Sequence, residues 1–204
     1  MQKEIILASN NKNKLREMKE LLEELGINVI SQSEAGIELD VEETGSTFKE
    51  NSHLKAKAIY DASKKATFAD DSGLEVDALN GEPGIYSARY AGENATDEDK
   101  RKKVLNLLSN VEDPKRTARF ICSICYIDEQ GKEHYFQRSS EGKILKEERG
   151  NNGFGYDPIF LYTEDENNNK TFAEMTDEEK NAVSHRGRAV RDFVDYLRKN
   201  IQGA

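Results

Sequence analysis

Residues 67–90 read TFADDSGLEVDALNGEPGIYSARY. The segment 67–71 is a short apolar strand that ends on two adjacent carboxylates, Asp70 and Asp71, and 74–79 continues as extended chain. Asn80-Gly81-Glu82-Pro83-Gly84 then carries the signals of a tight turn. Just upstream, the pattern predicts a helix over 47–65, opened by a capping box of Thr47 with Glu50. Strand and helix therefore alternate here, and the same alternation holds towards the N-terminus. A strand over 4–8 leads into a helix over 13–25, with Leu15, Met18, Leu22 and Leu25 on one face and Gly26 as a stop. A strand over 28–31 follows. Beyond residue 90 the pattern changes. Thr96 with Asp99 caps a helix running to Leu108. A long strand over 116–127 pairs with 133–144 across a turn at Gln130-Gly131. A short strand is expected over 157–161. Thr176 with Glu179 caps a short helix, and 189–201 forms a closing helix with Val190, Phe193, Val194 and Leu197 inward. Alternation first and hairpins later predict an α/β fold: a mixed β-sheet flanked by helices, not a purely parallel doubly wound one.

The chain has 204 residues, enough for one sizeable domain with a real core, and a formal net charge of −9. That charge argues against duplex nucleic acid or an anionic membrane as the main partner, because both reward positive charge. It does not disfavour a small anion in a locally basic pocket. No apolar run reaches the length of about 18 residues that a spanning helix needs. The start, MQKEIILASNNKNK, lacks a signal-peptide pattern, so a cytoplasmic protein is expected. Cys122 and Cys125 have the spacing of half a zinc ribbon, but the other half is missing. They lie in the apolar run RFICSICYI, where residues three apart point to opposite faces of a strand. Two reduced core thiols are the expectation.

Five segments carry chemistry. SNNKNK, Ser9 to Lys14, joins the first strand to the first helix. A helix start with free N–H groups favours phosphate, and Lys12 and Lys14 add charge. It is not a Walker loop, since the glycine spacing is absent. On this segment alone, an ordinary polar cap of an amphipathic helix is the favoured reading. At 67–90, adjacent strand residues point to opposite sides, so only one of Asp70 and Asp71 can face a given site, and the other ties down the turn. A carboxylate at a strand end beside Ser72 and Gly73 suits a hard cation such as Mg²⁺. Ser72 with His185 as base would suggest a serine hydrolase, but no G-x-S-x-G elbow is present. Upstream, Glu42 and Glu43 precede the second helix, where acids also favour the helix dipole. Asn51 and Lys55 share a face of that helix; on its own a charged helix face is usually just solvated. GFGYDPIF, residues 153–160, places Phe154 between two glycines, which suits stacking on a base. Asp157 is held extended by Pro158. SHRGRA, residues 184–189, puts His185 and Arg186 at a glycine-interrupted helix junction, where their donors can read a carbonyl on a purine edge.

Over nearly its whole length, from Ser9 to Ala189, the chain resembles the inosine triphosphate pyrophosphatase family. The motifs that carry the likeness are SNNKNK, EETG with TFKEN, ADDSGLEVDALNGEPGIYSARYAG, GFGYDPIF and AEMTDEEKNAVSHRGRA. The resemblance implies an elongated mixed sheet with helices, forming two lobes around a central cleft, and a homodimer that needs Mg²⁺. It implies hydrolysis of altered purine nucleoside triphosphates (ITP, dITP, XTP) to the monophosphate and pyrophosphate. By motif, Ser9, Asn10, Asn11, Lys12, Asn13 and Lys14 would hold the phosphates. Asn10 and Asn13 stand where many relatives have glycine. Glu42 and Asp71 would serve the metal, with Glu43 left as an alternative to Glu42, and Asp71 would be the proton acceptor. Ser72 would contact substrate, Phe154, Gly155, Tyr156 and Asp157 would hold base and sugar, and Lys180, His185 and Arg186 would complete the site. Two rival classes remain at this point: a pyrophosphatase of other modified nucleotides, and a non-catalytic nucleotide sensor.

Overall fold

The computed structural model describes residues 4–23 and 26–201. Its strands form one six-stranded mixed sheet in the order β2-β1-β3-β4-β5-β6. The strands are β1 Glu4–Leu7, β2 Asn28–Ser31, β3 Thr67–Val76, β4 Thr117–Ile127, β5 Glu133–Ile144 and β6 Phe160–Tyr162. β1 pairs in parallel with both β2 and β3, whereas β5 and β6 are antiparallel. The helices are α1 Lys12–Glu23, α2 Phe48–Ser63, α3 Asp97–Leu107, α4 Asp177–Val183 and α5 His185–Ile201. The chain divides into two compact units. One takes the chain up to Asp71, Cys122–Gln137 and the chain from Ala189 on; the other takes Ser72–Ile121 and Arg138–Arg188.

The first unit buries two clusters. One gathers Ile5, Leu7, Met18, Leu22, Phe68, Cys122, Val190, Phe193 and Leu197. The other gathers Ile6, Ala8, Ala56, Ile59, Ala69, Cys125 and Ile127. Ile5 and Ile6 thus go to different clusters, as do Phe68 and Ala69, because neighbours on a strand face opposite ways. The same rule separates Cys122 from Cys125. Both thiols are free and buried, and burial pushes Cys125 up to about 12, so it is no reactive thiolate. The second unit has one cluster, built from Leu74, Val76, Val104, Leu108, Phe120, Tyr156, Ile159, Phe160 and Phe172.

Caps fall where short hydroxyl residues predict them. Thr96 and Thr176 each form a complete box, with Asp99 and Glu179 reaching back. At Thr47 only half the box forms: Thr47 Oγ1 accepts from Glu50 N, but the Glu50 carboxylate accepts from Ser46 instead. Arg116, buried just before β4, satisfies its guanidinium on four carbonyls, those of Leu108, Val111, Ile144 and Leu145. It thereby ties the end of α3 to the end of β5.

Three expectations are corrected. The segments 67–71 and 74–79 are one continuous ten-residue strand through Val76, and Asp77–Leu79 is a 3₁₀ turn, not extended chain. Asp157–Ile159 is a 3₁₀ turn that precedes the last strand. Pro158 supplies no N–H for a ladder, and Asp157 N bonds back to Phe154 O instead. The closing helix begins at His185, four residues earlier than the apolar pattern marks. Ser184 is the break: its Oγ accepts from Gly187 N at 3.1 Å and starts the helix. Gly187 sits inside the first turn because a Cβ there would lie 2.0 Å from Asn181 O. Gly187→Ala is therefore expected to destabilise the fold by about 1–3 kcal/mol despite alanine's better helix propensity. Urea unfolding checks this; an unchanged midpoint would mean that α4 and α5 can separate at no cost. Leu25, assigned to the α1 face, lies outside the described residues.

Candidate active site

In the first unit, the loop between β1 and α1 is closed by its own side chains. Asn11 Oδ1 accepts from Asn13 N at 3.0 Å and Lys14 N at 3.2 Å, and Ser9 Oγ accepts from Asn11 N at 3.1 Å. Asn11 is thus the N-cap of α1 and takes two of the N–H groups that were open to a phosphate. Asn10 on this loop and Lys12 at the start of α1 are exposed. Lys14 reaches inward: its ammonium lies 3.0 Å from Asp70 Oδ2.

Asp70 and Asp71 diverge as strand alternation requires. Asp70, 2% exposed, is held by Lys14 on α1. Asp71, 6% exposed, faces α2, where Lys55 Nζ lies 3.3 Å from its Oδ1. The same ammonium bonds Glu43 Oε1 at 2.7 Å. Asp71 Oδ2 is buried with no hydrogen-bond partner among the described residues. Burial, chiefly, holds the Asp71 carboxyl above the usual carboxylate range; Lys55 opposes this and the nearby Glu43 adds to it. Lys55 shows the complementary pattern. Burial lowers it, but Asp71, Asp70 and Glu43 together hold it above the ordinary lysine value.

The loop carrying Glu43 is fastened to α2 by Asn51. Its Oδ1 accepts from Gly45 N at 2.8 Å, and a Cβ on Gly45 would lie 2.6 Å from that oxygen. Glu42 is exposed, so the acid that the structure joins to Asp71 through Lys55 is Glu43. Lys55 and Asn51 are the residues that the sequence reading placed on one helix face and discounted as solvated. The available signal was their i, i+4 spacing with the buried Ile59, which puts a lysine on the core-facing stripe of α2.

Among the described residues no three of His, Cys, Asp and Glu gather into a cage for a metal. The donors nonetheless fit Mg²⁺. That ion keeps several waters and takes one or two carboxylates together with substrate phosphates, and an unpartnered buried Asp71 oxygen beside Glu43 is such a donor set.

In the second unit the GFGYDPIF loop wraps around Asp157. Its Oδ2 accepts from Phe154 N at 2.9 Å and pairs with Lys180 Nζ at 2.7 Å. Gly153 (φ 74°) lies so close that a Cβ would clash with the same oxygen. Phe154 is half-buried, with the Lys180 ammonium 4.8 Å and the Arg186 guanidinium 5.7 Å from its ring centroid. Tyr156 turns into the core and donates to Ser87 O at 2.8 Å. Arg186 Nη2 donates to Ser72 Oγ at 3.0 Å. His185 is buried and stacked on Phe120, ring centroids 4.8 Å apart and ring planes nearly parallel. The structure therefore brings Ser72, Phe154, Asp157, Lys180 and Arg186 into one connected cluster. Ser9 to Lys14, Glu42 and Asp71 belong to the first unit.

Over 202 residues the chain is 52% identical to a dITP/XTP pyrophosphatase of Clostridium perfringens, covering 96% of this chain and 98% of that protein. It is 45% identical over 195 residues to the dITP/XTP pyrophosphatase of Bacillus subtilis, covering 96% and 97% of the two chains. Among solved structures, a HAM1 protein from Coxiella burnetii superposes with a TM-score of 0.88 at 45% identity, covering 97% and 99%. The Staphylococcus aureus Ham1 protein gives 0.87 at 45%, covering 97% and 100%. With residues 5–196 matching the family model as well, the resemblance carried by the motifs holds, and the chain belongs to the Ham1 family.

Proposed function

We propose that this protein hydrolyses dITP, ITP and XTP to the monophosphate and pyrophosphate, removing them before they enter DNA or RNA. The observation that carries the reading is the 52% identity, over almost the full length of both chains, to a protein named dITP/XTP pyrophosphatase. The geometry supports it: each unit, taken by itself, contains a charged, largely buried cluster. In this reading Asp71 and a glutamate of the Glu42-Glu43 pair hold Mg²⁺, and the contact through Lys55 favours Glu43. When bound, the ion supplies charge neutralisation of the triphosphate and lowers the pKa of attacking water.

The chain's own groups do the rest. Asp71, with its raised pKa, accepts a proton from water as it attacks the α-phosphorus. Lys55 holds Asp71 in place and limits that rise. Lys14 and the Ser9–Asn13 loop meet phosphate oxygens, and Lys14 and Lys180 stabilise the charge that develops. Phe154 stacks on the base, supported by Tyr156 and Asp157 behind it. Donors of His185 and Arg186 meet the 6-oxo group, with Ser72 placed by its bond to Arg186. Adenine would set a donor against these donors, at about 1–3 kcal/mol for one unpaired buried group. That is roughly one to two decades of discrimination. The active species is taken to be a cytoplasmic homodimer; no helix among the described residues is long and apolar enough to cross a membrane.

The test is turnover of dITP, ITP, XTP, GTP and ATP with Mg²⁺, scoring pyrophosphate against orthophosphate. Pyrophosphate from the first three, with ATP and GTP slower by at least tenfold, is expected. Orthophosphate as first product would sink attack at the α-phosphorus. Binding of dITP without turnover would leave a sensor.

A further inference from the structure

The loop that carries Phe154 is gripped from outside by α3. Gly155 N donates to Asp97 Oδ2 at 2.8 Å, and Gly155 O accepts from Arg101 Nη1 at 2.9 Å. One residue thus has both backbone polar groups committed to side chains of a single helix. Asp97 and Arg101 are four apart, so they project from the same face of α3 one turn from each other. Each is itself fixed. Asp97 Oδ1 pairs with Lys100 at 2.6 Å, and Arg101 Nε pairs with Glu148 Oε1 at 2.9 Å. The Arg101 side chain is only 14% exposed, and the helix start beneath it is held by the Thr96–Asp99 box. Val104 and Leu108, further along, share a core with Tyr156 and Ile159 of the loop.

Phe154 sits between Gly153 at φ 74° and Gly155 at φ 61°. A Cβ on Gly155 would meet nothing within 4 Å, so crowding does not select its conformation. Its two hydrogen bonds to α3 do. Glycine-flanked backbone is the kind that loses most freedom on being ordered, at about 1–2 kcal/mol per residue.

We propose that Asp97 and Arg101 are positioning residues for base recognition: they clamp the Gly155 peptide and so pre-order Phe154 before the nucleotide arrives. This rests on the reading of 153–157 as the loop that holds the base. With the clamp gone, the ordering cost falls on binding instead. The ring then meets the base less often in the right place, while the phosphate end is untouched.

The experiment uses Arg101→Ala, Arg101→Lys, Asp97→Ala and Asp97→Asn in the full chain. For dITP, KM is expected to rise about tenfold in both alanine variants with kcat within about threefold of the parent, and inhibition by inorganic pyrophosphate should be unchanged. Asp97→Asn keeps an acceptor for Gly155 N and should restore most of the KM; Arg101→Lys, which retains a donor, should restore part of it. The chain has no tryptophan, so Phe154→Trp gives a single reporter on the loop. In that background Arg101→Ala should raise acrylamide quenching about twofold without any ligand. Unchanged KM and unchanged quenching would overturn the clamp, as would a rise in pyrophosphate Ki equal to the rise in KM. If the parent turns over no nucleotide, the base-binding role falls with the functional reading, and the ligand-free quenching still decides the clamp by itself.

Discussion

Asp71→Asn is expected to lower kcat for dITP by a factor of about 10²–10⁴, the usual loss when a positioned general base is removed, while the protein stays folded. The carboxylate is 6% exposed, one oxygen faces Lys55 at 3.3 Å, and the other has no hydrogen-bond partner among the described residues. Its stability effect runs the opposite way from its effect on rate. Burial is the main cause of its raised pKa, with Lys55 opposing and Glu43 adding. A carboxyl whose folded pKa exceeds its unfolded value binds its proton more tightly in the native state. The stability it contributes is complete below the ordinary aspartate pKa and is lost as pH rises through the raised one. At neutral pH the ionised group is therefore a cost to folding; asparagine removes it, and Lys55 is not stranded because it keeps Glu43 at 2.7 Å. In EDTA the variant should be at least as stable as the parent at pH 7, and its stability should fall less as pH rises through that window. A variant that unfolds readily at pH 7 would show instead that Asp71 holds the fold through Lys55.

Asp157→Asn is expected to cost about 3–5 kcal/mol, because it strands a buried ammonium. Lys180 Nζ lies 2.7 Å from Asp157 Oδ2, and the two side chains are only 10% and 5% exposed. For a chain of this size such a loss lowers Tm by roughly 6–20 °C. The asparagine amide can still accept from Phe154 N, so the lost charge, not the lost loop bond, dominates. Pairing the change with Lys180→Met removes the stranded charge and should recover most of the stability, since whole buried pairs are often replaced at little cost. Activity should not return, because Lys180 is also the cation beside Phe154. Urea unfolding of the single and double variants separates the cases. A single variant as stable as the parent would mean that Lys180 reaches water when its partner is removed.

Much of the fold was readable from local rules. The bounds of β2 and β5 match the expected ranges, β5 as the strand that follows the Gln130-Gly131 turn, and Thr96 and Thr176 start helices where their capping partners predict. The boundaries that slipped did so where side chains or sterics from elsewhere intervene. Ser184 starts α5 earlier than its apolar stripe because it caps the polar turn His185-Arg186-Gly187. Asp157–Ile159 curls because Asp157 is drawn into the loop that it organises.

The sequence by itself determined the alternation of strand and helix, the family, and the divergence of Asp70 from Asp71. Each of these depends on spacing along the chain, and a two-residue strand period or a four-residue helix period is visible in one dimension. Only the tertiary structure decided that Lys55 bridges Glu43 and Asp71, and that α3 grips Gly155 from 54 and 58 residues away. A lysine on a helix looks alike in sequence whether water or two carboxylates surround it. What distinguishes the cases is burial and the charge brought beside it, and those exist only once the chain has folded.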